Sequence, residues 1–264
     1  MEHWLDLEDR KIFYRKTGQG KPVLLVHGFG EDGSVWEEQV ESLARNNLLL
    51  IPDLPGSGRS PLVPDMSMEG LARVLRSLLD QEGIDRCCLI GHSMGGYAGL
   101  AFAELFGEYL TAFGLFHSSA YADNPEKIAT RRKGIEFIRE YGAFEFLKNT
   151  SPNLFSPGTR EERPDLVQDF IDKLSNFSDE SLVHYYDAMI ARPDRTSILK
   201  TASFPILFIM GVYDNAVPIK DSLEQCHLPY LSYIHIFKKS GHMGMMEEPQ
   251  TTIIVLTEFL KSLP

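Results

Sequence analysis

A chain of 264 residues, 43% hydrophobic and 24% charged, is long enough to bury one large core without disulfides or metal, and too apolar to be disordered. Its formal net charge of −11 repels phosphate backbones and anionic lipid, which argues against nucleic-acid and membrane partners. Cys87, Cys88 and Cys226 lack any CxxC spacing, and the charged start MEHWLDLEDR has no apolar leader, so buried thiols and a cytoplasmic location are expected.

Residues 4–7 and 11–15 read as a short hairpin, followed by the turn Thr17-Gly18-Gln19-Gly20. The runs 23–26 and 48–51 are continuously apolar, as strands buried on both faces are, and 34–44 between them has a helical mix of polar and apolar residues. The alternation continues through a helix at 68–81, a strand at 87–90, a helix from about 94 and a strand at 112–116. Residues 121–200 contain no convincing buried strand, and Ile135, Phe137, Ile138 and Tyr141 recur at helical spacing. Pro152, Pro157 and Pro164 divide this stretch, and Ser156-Pro157-Gly158 reads as a loop. Strands at 206–210 and 232–237 and a helix at about 251–261 close the chain. The expected class is α/β: a mostly parallel central sheet flanked by helices, formed by residues 1–120 and 201–264, with a helical cap inserted at 121–200.

Gly91-His92-Ser93-Met94-Gly95 stands directly after an apolar strand and before a helix, where glycines permit the crowded turn that presents a serine hydroxyl. A serine hydroxyl needs a base at neutral pH, and a histidine oriented by an acid is the usual solution. Of eight histidines, His3, His184, His227 and His235 suit surface or core roles, and His117 ends a strand before the insertion. His242 follows the last strand, at the sheet edge where Ser93 emerges. Asp214 leaves the preceding strand and completes the order Ser, Asp, His, with Asp123 as the rival acid. The Met94 amide at the helix start, and the Phe29 amide in His27-Gly28-Phe29-Gly30, are candidate oxyanion donors. This set needs neither metal nor organic cofactor.

With these motifs in order, together with Asp53-Leu54-Pro55-Gly56-Ser57-Gly58-Arg59-Ser60 and the Glu247-Glu248-Pro249 that follows His242, the whole chain resembles the α/β-hydrolase superfamily. It is most similar there to capped esterases, enol-lactonases and carbon–carbon bond hydrolases. Ser rather than Asp at the nucleophile position separates it from haloalkane dehalogenases and epoxide hydrolases. The resemblance implies a serine hydrolase with Ser93, Asp214 and His242 as its triad, Phe29 and Met94 as its oxyanion hole, and a small to medium, largely apolar acyl substrate, an ester in the first instance and a lactone or carbon–carbon bond in the second.

Two readings compete. Gly28, Gly30 and Gly33 match G-x-G-x-x-G after a strand, and Asp53 stands where a ribose-binding acid would, so an NAD(P)-dependent oxidoreductase is the first. A noncatalytic binding protein on the same fold is the second. Arg131-Arg132-Lys133 offers a charge for a substrate carboxylate, but reads more simply as a solvated helix face.

Overall fold

A computed structural model describes residues 1–7 and 9–263. The strands are β1 (Glu2–Leu7), β2 (Arg10–Thr17), β3 (Lys21–Val26), β4 (Asn47–Pro52), β5 (Cys87–His92), β6 (Leu110–Phe116), β7 (Ile206–Gly211) and β8 (Ser232–Phe237). They form one sheet in the order β1-β2-β4-β3-β5-β6-β7-β8. β2 runs antiparallel to both β1 and β4, and all pairings from β4 through β8 are parallel.

The apolar runs that lack alternation are buried on both faces, as parallel strands between helical layers must be. Leu24, Val26 and Leu50 enter the core on one side, while Val23, Leu25, Leu49 and Ile51 enter that on the other. On the first side the helix Met68–Gln81 starts at Ser67, whose side chain accepts from the Gly70 amide at 3.0 Å, and buries Leu71, Leu75 and Leu78.

The chain leaves β3 for β4 on one side and returns to β5 on the other. The carboxyl ends of β3 and β5 therefore flank a switch point, where the diverging crossovers leave room for a ligand.

Between β6 and β7 run the helices Pro125–Tyr141, Ala143–Thr150, Pro157–Glu162, Pro164–Asp172, Asp179–Ala191 and Thr196–Thr201, with no strand among the described residues there. The loop expected at Ser156-Pro157-Gly158 is instead a helix start: Ser156 accepts from the Thr159 amide at 3.1 Å and Pro157 is the first helical residue, where its missing N–H costs nothing. Pro164 likewise begins a helix rather than ending one. The helix expected at 34–44 is divided into a 3-10 turn, Gly33–Trp36, and the α-helix Glu37–Leu43. No helix among the described residues is long and apolar enough to cross a membrane.

Candidate active site

Ser93 sits between β5 and the helix Met94–Phe106 with φ 51° and ψ −116°. Such a backbone costs an L-residue on the order of 1–3 kcal/mol, so its surroundings must hold it. They do so through four hydrogen bonds: the Ser93 amide donates to Phe116 O at 3.0 Å, and Ser93 O accepts from the Gly96 and Tyr97 amides at 2.9 and 3.3 Å and from Ser118 Oγ at 2.7 Å. The motif's glycines have steric reasons. A Cβ on Gly91 would run into the Gly95 carbonyl, and one on Gly95 would lie 2.5 Å from His27 O. The Phe29 and Met94 amides, on either side of the switch point, donate to no acceptor among the described residues.

His242 Nδ1 lies 2.8 Å from Asp214 Oδ2, and the other oxygen, Oδ1, accepts from the Ala216 and Val217 amides at 2.9 and 2.8 Å. Both side chains are buried. Ser93 and His242 line one cavity of about 350 Å³, although no hydrogen bond joins them among the described residues. The rival acid, Asp123, is paired instead with Arg131 at 2.5 Å and Arg192 at 2.9 Å.

His117 also belongs to this cluster, with no sign of it in the local sequence. Its Nδ1 lies 3.0 Å from the same Asp214 Oδ2, so two imidazoles share one carboxylate oxygen, and its Nε2 is buried without a partner. Adjacency of β6 and β7 brings them together, with the His117 amide donating to Ile209 O at 2.8 Å. His117, Asp214 and His242 are also the group of potential metal ligands among the described residues, but their N···O separations are those of N–H···O bonds. Burial would raise the Asp214 carboxyl, but His242 and His117 override it and hold the group well below the usual carboxylate range. Burial pushes the His117 imidazole down to about 4, against the opposing pull of Asp214.

This depression fixes the sign of a pH effect. Between pH ~6.5 and pH ~4 an unfolded His117 takes a proton that the native one does not, so stability falls with falling pH, by up to roughly 3 kcal/mol. Below that window Asp214 adds a loss in the same direction. His117→Asn keeps an N–H for Asp214 but does not titrate, so its Tm should fall less between pH 6.5 and 4.5. Equal slopes for the two proteins would reject the assignment.

Behind the Ser93 turn, His92 Nε2 lies 2.9 Å from His242 O, and its Nδ1 lies 2.9 Å from Glu31 Oε2, which also accepts from the Gly28 amide at 2.8 Å. Burial opposes charge on both members, yet mutual attraction holds Glu31 below and His92 above their ordinary values. The pair ties the end of β3 to the His242 loop.

The dinucleotide fingerprint is used differently here. Asp53 Oδ1 accepts from the Gly33 amide at 2.9 Å and Oδ2 from the Arg59 amide at 3.0 Å, so the acid that the competing reading places on a ribose instead staples two loops. At Gly30, with φ 65°, a Cβ would lie 2.6 Å from the Leu147 side chain, so this glycine is accounted for by packing against the inserted helices.

Among aromatic residues of the stretch 121–200, Tyr121, Phe137, Tyr141, Phe144, Phe146, Phe155 and Tyr185 do not line the cavity, and Tyr186 does. Its ring stacks on Phe29, with centroids 4.4 Å apart and planes 10° from parallel. Arg131 corrects an expectation: Arg132 and Lys133 are solvated, but Arg131 is only part-exposed and lines the cavity.

The sequence profile described as the alpha/beta hydrolase family matches residues 23–253. A 2-hydroxy-6-oxononadienedioate/2-hydroxy-6-oxononatrienedioate hydrolase from Cupriavidus pinatubonensis is 30% identical over 266 residues, covering 95% of this chain and 90% of its own. A malate-bound thermophilic esterase from Thermogutta terrifontis superposes with a TM-score of 0.91 at 28% identity, covering 99% of this chain and 98% of its own. An enol-lactonase from Burkholderia xenovorans shares the fold, with a TM-score of 0.90 at 22% identity over 98% of this chain and 100% of its own.

Proposed function

We propose that this chain, which belongs to the alpha/beta hydrolase family, is a serine hydrolase that cleaves small to medium carboxylic esters through an acyl-enzyme. One observation carries this: the strained Ser93 and the Asp214-bonded His242 open onto the same cavity, beside two amides with no acceptor among the described residues. His242 takes the Ser93 proton as Oγ attacks the carbonyl carbon. Asp214 fixes the tautomer with Nδ1 protonated and stabilises the imidazolium. The Phe29 and Met94 amides receive the negative oxygen of the tetrahedral intermediate. His242 then protonates the leaving group, and a water activated by the same imidazole releases the acid. The mechanism requires Ser93 Oγ to close on His242 Nε2 as substrate binds, a tightening common to catalytic hydrogen bonds.

Hydrolysis of a carbon–carbon bond on the same residues is the second reading, favoured by the dienedioate hydrolase named above. A panel of p-nitrophenyl esters of increasing acyl length, run beside lactones and a vinylogous diketone with Ser93→Ala as blank, separates the two. Ester turnover exceeding diketone turnover by at least tenfold in kcat/KM is expected. The reverse ranking would assign the carbon–carbon reaction. Labelling of Ser93 by a fluorophosphonate, located by mass spectrometry, tests the nucleophile independently of substrate.

A further inference from the structure

We propose that the cavity selects substrates bearing a carboxylate remote from the scissile carbonyl, held by Arg131 with Lys127 beside it. This rests on the hydrolase reading above and names its substrate class. Lys127 and Arg131 are four residues apart on the helix Pro125–Tyr141, hence on one face, and both line the cavity that holds Ser93 and His242.

The charge balance on this wall favours an anion. The carboxylate lining the cavity, Glu31, is already engaged by His92 and the Gly28 amide. Asp123, whose side chain is fully buried, faces two guanidinium groups, Arg131 and Arg192, leaving an excess positive charge. Arg131 uses Nε and Nη2 toward Asp123, at 2.5 and 3.3 Å, while Nη1 has no hydrogen-bond partner among the described residues. Lys127 lies only 4.0 Å from Asp221, but that pair is part-exposed and solvent-screened. A −11 chain thus presents cations on the cap-side wall of its reaction cavity. At about 350 Å³ the cavity is near the small end of ligand sites, so only a few carbons separate carboxylate from carbonyl.

The test compares kcat/KM for the p-nitrophenyl hemiester of glutaric acid and for p-nitrophenyl valerate, a neutral ester of the same acyl length. Wild type should prefer the hemiester by at least tenfold, and Arg131→Gln should lose roughly 10- to 100-fold on it, mainly through KM, as expected for a charge-assisted bond. Arg131→Lys should recover part of the preference, and Lys127→Gln should reduce it about threefold by weakening the local field. Asp123 keeps Arg192 in Arg131→Gln, so its charge stays paired. Equal ratios in wild type and Arg131→Gln would overturn the carboxylate site. If neither ester is turned over in a Ser93-dependent way, the hydrolase reading fails instead. Calorimetric binding of glutarate to Ser93→Ala then decides the site alone: saturable binding weakened tenfold by Arg131→Gln supports it, and no binding overturns it.

Discussion

Ser93→Ala is expected to lose roughly 10⁴-fold or more in kcat on the preferred ester while folding normally, and His242→Ala a similar amount, as residues acting as a unit do. Asp214→Asn should lose somewhat less, about 10³- to 10⁴-fold. Its amide nitrogen must face either the Ala216 and Val217 donors or the two imidazoles, so a donor meets donors in both orientations. The control is Asp123→Asn. Asp123 touches Arg131 and Arg192 rather than His242, so this change should move KM and stability and leave the pH profile of kcat in place. A larger kcat loss in Asp123→Asn than in Asp214→Asn would exchange the acids. A fully active Ser93→Ala would end the serine mechanism.

Glu247→Ala carries the second large effect, through hydrogen bonds alone. Glu247 Oε1 accepts from the Gly241 and Met243 amides at 2.8 and 3.2 Å, on either side of His242. Oε2 accepts from the Ser156 amide and from Thr159 Oγ1 at 2.8 and 2.7 Å, on the inserted helices. One buried carboxylate therefore satisfies four donors. Leaving each unpaired costs about 1–3 kcal/mol before relaxation, so Glu247→Ala should lower unfolding stability by on the order of 4 kcal/mol. Because the freed backbone carries His242, kcat should also fall about 10- to 100-fold, the scale of a small misplacement of a catalytic group. Glu248→Ala is the comparison: that side chain holds the Lys239 amide and Ser240 Oγ in a less buried place and should cost under about 1 kcal/mol. Denaturant unfolding of the two proteins checks this, and equal midpoints would show that the Glu247 bonds are not structural.

Period and punctuation made the core legible in the sequence. Helix Met68–Gln81 has the expected ends because Ser67 caps it and its apolar residues keep one face. The strand-to-helix turn at Ser93 was legible because Gly91 and Gly95 are tied to local steric needs. The last helix begins at Pro249, after a short helix Gly244–Glu247 that was not expected, since a prolyl residue starts a helix as readily as it ends one. His117 was illegible for another reason. Its bond to Asp214 joins residues 97 apart through the pairing of β6 with β7, and no local pattern encodes that pairing. Arg131 sat in a run of three cations whose different environments are set only once the helix packs.

The packing of Leu147 over Gly30, so close that a Cβ there would lie 2.6 Å from it, the stacking of Phe29 on Tyr186 and the bond from the His242 amide to Leu154 O at 2.6 Å all join segments of the proposed site to the inserted helices. The insertion is therefore wired into the proposed site. Transplanting it from a relative would exchange selectivity only if Leu147, Leu154 and Tyr186 travelled as a set with the Gly28–Gly30 and Gly241–Met243 turns. In laboratory recombination, crossovers that separate those two groups of residues should give folded, inert chimeras.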